Sequence, residues 1–234
     1  MVSNEFYIIE GRTVRAINPV YRKTLTPDKE IEMFPQTVRL LSDRVFYECQ
    51  SVYEMLLPER ITTIGEACFS SCHNLTRVVM GPNVTKIGTG CFAYCNNLKE
   101  IFFSDALEEI NENALMGCSG LERVVLPASL RIIRRGAFMG CTSLKEIVFP
   151  TTIEEIDEVA FDSCTGLSEI EFPASMRTIG NEAFYGCINL VSVACATSGV
   201  FISEDAFNGC SVQKLTMQGR RVMQPAGWST GTAK

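Results

Sequence analysis

The chain has 234 residues, of which 46% are hydrophobic and 21% are charged, so it can bury a core and still present a polar surface. Its formal net charge of −6 argues against nucleic-acid binding, because proteins of that class cluster lysine and arginine on one face. No segment approaches the roughly 20 apolar residues that a membrane-spanning helix needs. Composition therefore predicts an ordinary folded domain with no nucleic-acid partner and no membrane span.

Residues 1–34 precede a periodic region and are expected to cap one end of the fold. Two short apolar runs, Phe6–Ile9 and Thr13–Ile17, flank a Glu-Gly-Arg turn, which predicts a β-hairpin. Two prolines predict a loop over residues 18–32. The first residues lack a basic stretch followed by a long apolar run, so we expect no secretory signal and predict a cytoplasmic protein.

From residue 35 to residue 218 one pattern recurs every 23 residues. A unit of this size cannot bury its apolar face alone and does so by stacking on its neighbours. The period therefore predicts one elongated solenoid of eight repeats. Its most regular member is a cysteine, found at Cys49, Cys72, Cys95, Cys118, Cys141, Cys164, Cys187 and Cys210.

Aligned repeats place apolar residues in columns that we expect to form the core, because each side chain would pack on its own copy above and below. The isoleucine column is Ile64, Ile87, Ile110, Ile133, Ile156 and Ile179. The leucine column is Leu75, Leu98, Leu121, Leu144, Leu167 and Leu190. The aromatic column is Phe46, Phe69, Phe92, Leu115, Phe138, Phe161, Phe184 and Phe207.

The last repeat and the C-terminal tail depart from this regularity. Val212 and Leu215 arrive one residue early after Cys210, which predicts a slightly deformed eighth coil. Residues 219–234 contain Pro and Gly and are expected to be an irregular tail. Trp228 within it could fold back onto the last coil or anchor a partner.

Residues 173–193 read PASMRTIGNEAFYGCINLVSV. They resemble the BspA-like class of the leucine-rich repeat superfamily, whose pattern is P-x-x-I-x-x-I-G-x-x-A-F-x-x-C-x-x-L-x-x-I-x-F. The generic L-x-x-L-x-L strand appears as Leu144-x-x-Ile147-x-Phe149. The resemblance covers residues 35–218. It implies a right-handed horseshoe, with a parallel β-sheet on the concave face and short strands, turns and helical turns on the convex side.

The same resemblance implies a non-enzymatic module that binds a protein partner or serves as a structural scaffold. The alternative it implies is a BspA-like cell-surface adhesin. The sequence contains no P-loop, dinucleotide-binding, H-E-x-x-H or G-x-S-x-G motif. Its single histidine, His73, falls at a polar turn position. We therefore predict no catalysis, no cofactor and no small-molecule substrate.

Alternate residues of each predicted strand face outward and form two columns on the sheet. The first column alternates in charge and the second is apolar over five repeats. Strand register and strand propensity explain part of this pattern. They explain Phe102 and Leu56 less well, so we predict a protein-binding surface centred on Phe102. Its residues are Leu56, Arg77, Val79, Glu100, Phe102, Arg123, Val125, Glu146 and Val148.

The chain has 11 cysteines, and those at the 23-residue period would stack with parallel Cβ directions, which does not suit a disulfide. We expect a reduced thiol ladder in the core, in which Cys118→Ser destabilises more than Cys118→Ala because a hydroxyl would be desolvated. The alternative is a zinc site. It would use Cys68, Cys72, Cys91 and Cys95, although alanine at the positions equivalent to Cys68 and Cys91 favours simple packing.

Overall fold

The computed structural model describes residues 2–3, 7–18 and 34–221. Short strands alternate with turns throughout this part of the chain. In chain order the strands are β1 (Val2–Ser3), β2 (Tyr7–Glu10), β3 (Thr13–Ile17), β4 (Leu40–Leu41), β5 (Glu54–Leu56), β6 (Thr63–Ile64), β7 (Arg77–Val79), β8 (Lys86–Ile87), β9 (Glu100–Phe102), β10 (Glu109–Ile110), β11 (Arg123–Val125), β12 (Ile132–Ile133), β13 (Glu155–Ile156), β14 (Glu169–Phe172), β15 (Thr178–Ile179), β16 (Ser192–Cys195), β17 (Phe201–Ile202), β18 (Lys214–Met217) and β19 (Arg220–Arg221).

These strands build a parallel solenoid of eight coils, which we number 1 to 8 by their cysteines from Cys49 to Cys210. Each coil runs through one side that we call the back ladder, then a turn segment bearing the aromatic and cysteine columns, then a second side that we call the sheet face. Strands of successive coils pair in parallel with a 23-residue offset, as in Arg77 opposite Glu100, except that β18 of coil 8 pairs with β16 at an offset of 22 residues, as in Ser192 opposite Lys214. The period found in the sequence is therefore the period of the fold.

The back ladder consists of two groups of strands. The cap strands β1, β2 and β3 continue into β4, β6 and β8, and a second group contains β10, β12, β13, β15 and β17. The sheet face is also divided, into β5, β7, β9 and β11 and into β14, β16, β18 and β19. Each coil thus has two hydrogen-bonded sides.

An antiparallel hairpin of β2 and β3 lies at the N-terminal end, and β3 pairs in parallel with β4. Tyr7 stacks on Phe34 with ring centroids 4.9 Å apart, and its ring meets Phe46 edge-on at 6.2 Å. The hairpin therefore covers the aromatic column at coil 1. The predicted loop over residues 18–32 and the tail with Trp228 lie outside the described residues, apart from Asn18 and residues 219–221.

The three predicted core columns are buried, with side-chain exposures of 0% to 1%. Phenylalanine rings stack between neighbouring coils with centroid distances of 4.8 to 5.2 Å and nearly parallel planes. Leu115 interrupts this column, so Phe46, Phe69 and Phe92 form one stack, and a second begins at Phe138. Two rigid stacks therefore meet at coil 4.

The turn segment uses backbone positions that favour glycine. Gly117, Gly140, Gly186 and Gly209 lie one residue before the cysteine of their coils, with φ from 66° to 76°. This left-handed conformation strains most side chains, and glycine adopts it freely. The described residues contain no helix, so this turn segment stands where the resemblance implied helical turns.

Both ladders are interrupted beside coil 4. In the back ladder β8 and β10 are not paired, and the side-chain amide of Asn111 donates to the Ile87 carbonyl at 3.1 Å in place of a backbone N–H. On the sheet face, residues 145–149 pair with neither β11 nor β14. The prediction of a strand from Leu144 to Phe149 in a continuous sheet is therefore wrong.

Ring size explains where the ladders open. Coil 4 has Leu115 and Leu126 at two core positions where its neighbours have aromatic rings. Because the narrower coil cannot support both sides evenly, each adjoining coil separates from it on one side. Two core residues at this opening, Val124 at 9% and Ile147 at 6%, are more exposed than their equivalents Met55 and Val78 at 1% and 0%. The equivalent rings in coils 3 and 5 are Phe92, Phe103, Phe138 and Phe149.

Candidate functional site

The four-stranded part of the sheet face carries most of the predicted binding residues. Strands β5, β7, β9 and β11 pair in register, which aligns both outward columns. Seven of the nine predicted residues lie together on this sheet. They are Leu56, Arg77, Val79, Glu100, Phe102, Arg123 and Val125. Glu146 and Val148 lie instead on the unpaired segment 145–149, so their assignment to the same sheet is corrected.

The first outward column is a row of alternating charge across the four strands. Its members are Glu54, Arg77, Glu100 and Arg123. The two inner residues pair, with Arg77 Nε 3.6 Å from Glu100 Oε2. Among the described residues the two outer ones, Glu54 and Arg123, have no ion-pair partner, and both are exposed. The row therefore ends in an unpaired carboxylate on one side and an unpaired guanidinium on the other.

The second outward column is apolar. Leu56, Val79 and Phe102 are half-buried, whereas Val125 is 42% exposed. The guanidinium carbon of Arg77 lies 5.4 Å from the centroid of the Phe102 ring, within cation–π range. This contact fixes the ring beside the charged row, so the apolar strip and the charges form one continuous surface.

A third row borders this surface on the side of the preceding turn. Lys99 Nζ lies 2.6 Å from Glu122 Oε1, and this contact lowers the pKa of the Glu122 carboxyl. Thr76 lies beside them. Together with the charged row they line a shallow groove of about 580 Å³ that is open to solvent. The groove can take the side chains of an opposing protein surface.

The C-terminal part of the sheet face has different chemistry. The charged and apolar columns continue there as Glu169 and Glu171 on β14 and as Ser192 and Ala194 on β16. Neither carboxylate has an ion-pair partner among the described residues. The apolar strip therefore stops at the opening beside coil 4 and is replaced by acidic and small side chains.

The cysteine column has a role that sequence reasoning missed. In coils 2 to 8 the thiol donates a hydrogen bond to the main-chain carbonyl of the aromatic-column residue one coil earlier, for example Cys118 Sγ to Phe92 O at 3.1 Å. The other pairs are Cys72–Phe46, Cys95–Phe69, Cys141–Leu115, Cys164–Phe138, Cys187–Phe161 and Cys210–Phe184, at 3.0 to 3.4 Å. The sequence shows only that a small residue recurs there.

All 11 cysteines are buried, and none forms a disulfide. Burial raises the pKa of the Cys118 thiol to about 12 and that of Cys195 to about 11. Burial also raises the pKa of Cys91 and Cys95. These thiols remain protonated at neutral pH, which suits a hydrogen-bond donor and not a nucleophile or a metal ligand.

The alternative of a zinc site is not supported by the geometry. No group of three or more His, Cys, Asp or Glu within residues 2–3, 7–18 and 34–221 is placed to hold a metal ion. Cys72 and Cys95 instead donate to main-chain carbonyls. His73 is exposed in its turn, with Nδ1 3.1 Å from the Tyr94 carbonyl oxygen.

Sequence analysis also passed over several exposed large apolar side chains away from the predicted surface. Tyr94, Tyr185 and Ile188 lie on the turn segment at 46% to 55% exposure, and Phe201 on the back ladder is 67% exposed. At the equivalent positions of the neighbouring coils the described residues are polar or glycine, so none of these apolar side chains continues from coil to coil. A search for apolar residues that lack apolar copies would have found them.

No helix among the described residues is long and apolar enough to cross a membrane. The architecture is that of a parallel-strand repeat solenoid with one continuous hydrophobic core.

Comparison with known families identifies this solenoid. The BspA type leucine-rich repeat region matches residues 29–130 and 108–223, in 6 copies. The chain belongs to the BspA-type leucine-rich repeat family, as the sequence resemblance predicted. No curated protein shows a significant match to the chain.

Solved structures agree on the fold. A leucine-rich repeat protein from Bacteroides ovatus is 21% identical, with a TM-score of 0.59 over 93% of this chain and 70% of that one. A Treponema pallidum (T. pallidum) leucine-rich repeat protein is 26% identical, with a TM-score of 0.51 over 78% of this chain and 73% of that one. One from Eubacterium ventriosum is 23% identical, with a TM-score of 0.60 over 85% of this chain and 45% of that one.

Proposed function

We propose that this protein is a non-enzymatic interaction module that binds a protein partner through the four-stranded part of its sheet face. The carrying observation is the continuous strip of Leu56, Val79, Phe102 and Val125 beside the charged row. Single exposed apolar residues are common on protein surfaces, whereas a contiguous apolar strip rimmed by polar groups is typical of interaction sites.

The surface is well suited to binding because it is rigid before the partner arrives. Its strands are held by main-chain pairing, and the side chains beneath them belong to the continuous hydrophobic core. A preformed surface loses little conformational entropy on association. Phe102 lies near its centre, where aromatic residues tend to dominate interface energies.

The direct test compares Phe102→Asp with Phe201→Asp, which makes the same change at an exposed phenylalanine of the back ladder. Both variants and the parent would be immobilised and incubated with an extract of the cells that carry the gene. The captured proteins would then be identified by mass spectrometry. We expect a partner that the parent and Phe201→Asp retain and Phe102→Asp loses by a factor of about 30 or more. Equal capture by both variants would place the binding site elsewhere.

The finer expectations from the family also stand as proposals. We propose a right-handed coil with the sheet face on its concave side, where a partner would contact several coils at once. A scaffold acting in the cytoplasm and a cell-surface adhesin remain the two settings for such a module. Labelling of unfolded protein from native cells distinguishes them, because a reducing compartment predicts 11 reactive thiols and export predicts disulfides.

A further inference from the structure

The charged row of the four-stranded sheet has an order that complements itself. Reading across the strands, the charges are negative, positive, negative and positive at Glu54, Arg77, Glu100 and Arg123. The two inner residues form an intramolecular ion pair, with Arg77 Nε 3.6 Å from Glu100 Oε2. Because the row has an even number of members, it leaves a negative charge at one edge and a positive charge at the other.

Elsewhere the chain pairs its ladder charges more fully. On the back ladder Arg134 contacts both Glu109 at 2.9 Å and Asp157 at 3.6 Å, and Glu154 contacts both Arg131 at 2.8 Å and Arg177 at 3.6 Å. Glu54 and Arg123 take part in no such network among the described residues, so both are available to an opposing surface.

We propose that the four-stranded sheet binds a second copy of this chain face to face, in an antiparallel dimer, which assigns a partner to the surface described under the proposed function and rests on it. The dimer axis runs parallel to the strands and passes between β7 and β9. A rotation of 180° about it places β5 over β11 of the second copy and β7 over β9. Positions along the strand are unchanged, so each column faces its own copy in reverse order.

This arrangement satisfies every charge in the row. Glu54 faces Arg123 of the second copy, and Arg77 faces Glu100 of the second copy. Both contacts occur twice because the interface is symmetric. In the bordering row Lys99 faces Thr76 of the second copy, so no like charges meet. Alternating charge thus specifies one register, since a shift by one strand would oppose like charges and cost affinity.

The apolar column is complementary under the same rotation. Leu56 faces Val125 of the second copy, and Val79 faces Phe102. Each contact joins a larger side chain to a smaller one, which suits two aligned sheets packed about 10 Å apart. Only four strands take part, because the paired part of the sheet face ends at β11.

The contact area of this dimer is small. Four strands of three residues each cover roughly 200 Å² on each copy, far less than the ~800 Å² per partner of a standard stable interface. The dimer is therefore weak. Its charge pairs are exposed at the rim, so salt weakens it.

Sedimentation equilibrium of the whole chain tests the dimer. We expect the average mass to rise toward two chains between about 10 µM and 1 mM protein at low salt, and less so at about 0.5 M salt. The decisive variants are Glu54→Arg, Arg123→Glu and the two together. Each single variant opposes like charges twice and should weaken dimerisation about tenfold or more. The double variant restores opposite charges and should return to within about threefold of the parent.

Glu112→Arg is the matched control, since it makes the same charge change at an exposed position after β10 and should leave dimerisation unchanged. A chain that stays monomeric at every concentration, or a double variant as weak as the single ones, overturns the dimer. In either case, partner capture that still depends on Phe102 upholds the proposed function with a different protein as its partner. Charge rescue of dimerisation without any Phe102-dependent capture would instead make the second copy the sole partner.

Discussion

The turn segment and the sheet face of this solenoid are built from the same coils, yet only one of them runs through the molecule without a break. On the turn segment, each aromatic-column residue of coils 1 to 7 donates its main-chain N–H to the next coil at 2.7 to 2.8 Å, including Leu115 in coil 4. The cysteine thiols add a second set of bonds between coils. On the sheet face, residues 145–149 have no such pairing.

This difference shows how a solenoid accommodates a coil of the wrong size. Leu115 and Leu126 remove ring volume from coil 4, and the gap must open on some side of the stack. Where main chain, thiol and close backbone contacts all join the coils, opening would leave several buried polar groups unpaired. Where only a short exposed strand pairs, water can satisfy the freed groups. Pairing between coils is therefore lost on the sheet face and kept on the turn segment.

The largest expected effect is on the side that stays closed. Phe138 stacks on Phe161 at 4.9 Å and begins the second aromatic stack. Phe138→Ala would leave a cavity shared by two coils and should lower the free energy of unfolding by about 3–5 kcal/mol in urea denaturation. Val148→Ala, at a side chain 79% exposed on the open side, is the control and should cost under about 0.5 kcal/mol. Similar losses of unfolding free energy from both variants would contradict the difference between the closed and the open side.

Alkaline pH should destabilise the closed side through its thiols. An unfolded cysteine titrates near 8.5, whereas burial raises the pKa of folded Cys118 to about 12. Its contribution is therefore fully present below about pH 8.5 and is lost as pH rises toward 12. At pH 10 the loss is on the order of 2 kcal/mol for this thiol. Urea denaturation between pH 7 and pH 10 should show a shallower decline for Cys118→Ala than for the parent, and equal slopes would contradict the burial argument.

Hydrogen exchange should reveal the open side directly. Amides of Ile147, Val148 and Phe149 lack the pairing that protects β9 in coil 3, so we expect them to exchange at least about tenfold faster than those of Ile101 and Phe102. Native-state exchange followed by NMR measures both sets in one sample. Equal protection would mean that the ladder is closed at coil 5 in solution.

The smallest effect separates packing from hydrogen bonding in the thiol ladder. Because Cys118 donates to the Phe92 carbonyl, Cys118→Ser keeps a donor, whereas Cys118→Ala leaves that carbonyl with only the Cys95 main-chain N–H, at 3.3 Å. We expect the serine variant to be more stable than the alanine variant by about 1 kcal/mol, which reverses the order expected from sequence. Thermal or urea unfolding of the two proteins decides it, and a less stable serine variant would restore the packing explanation.

Much of the fold was predictable because a sequence repeat of constant length implies a structural repeat of the same length. The 23-residue period specified stacking, and the isoleucine, leucine and phenylalanine columns identified the core residue by residue. Alternation along the strands also identified the outward residues of the candidate surface. Seven of these nine residues lie on one sheet, since register between parallel coils follows directly from the period.

The remaining features depend on how neighbouring coils pack against each other, and the sequence of a single repeat does not specify this packing. The sequence determined that Leu115 replaces phenylalanine, but only the tertiary structure decided which side of the stack opens, because that depends on the relative strength of contacts on each side. Likewise the sequence placed a cysteine in every coil. Only the tertiary structure shows which main-chain carbonyl accepts a hydrogen bond from each thiol of coils 2 to 8. The alternation of charge was visible in the sequence. Side-chain geometry decided that Arg77 forms an ion pair with Glu100, which leaves Glu54 and Arg123 without an ion-pair partner among the described residues.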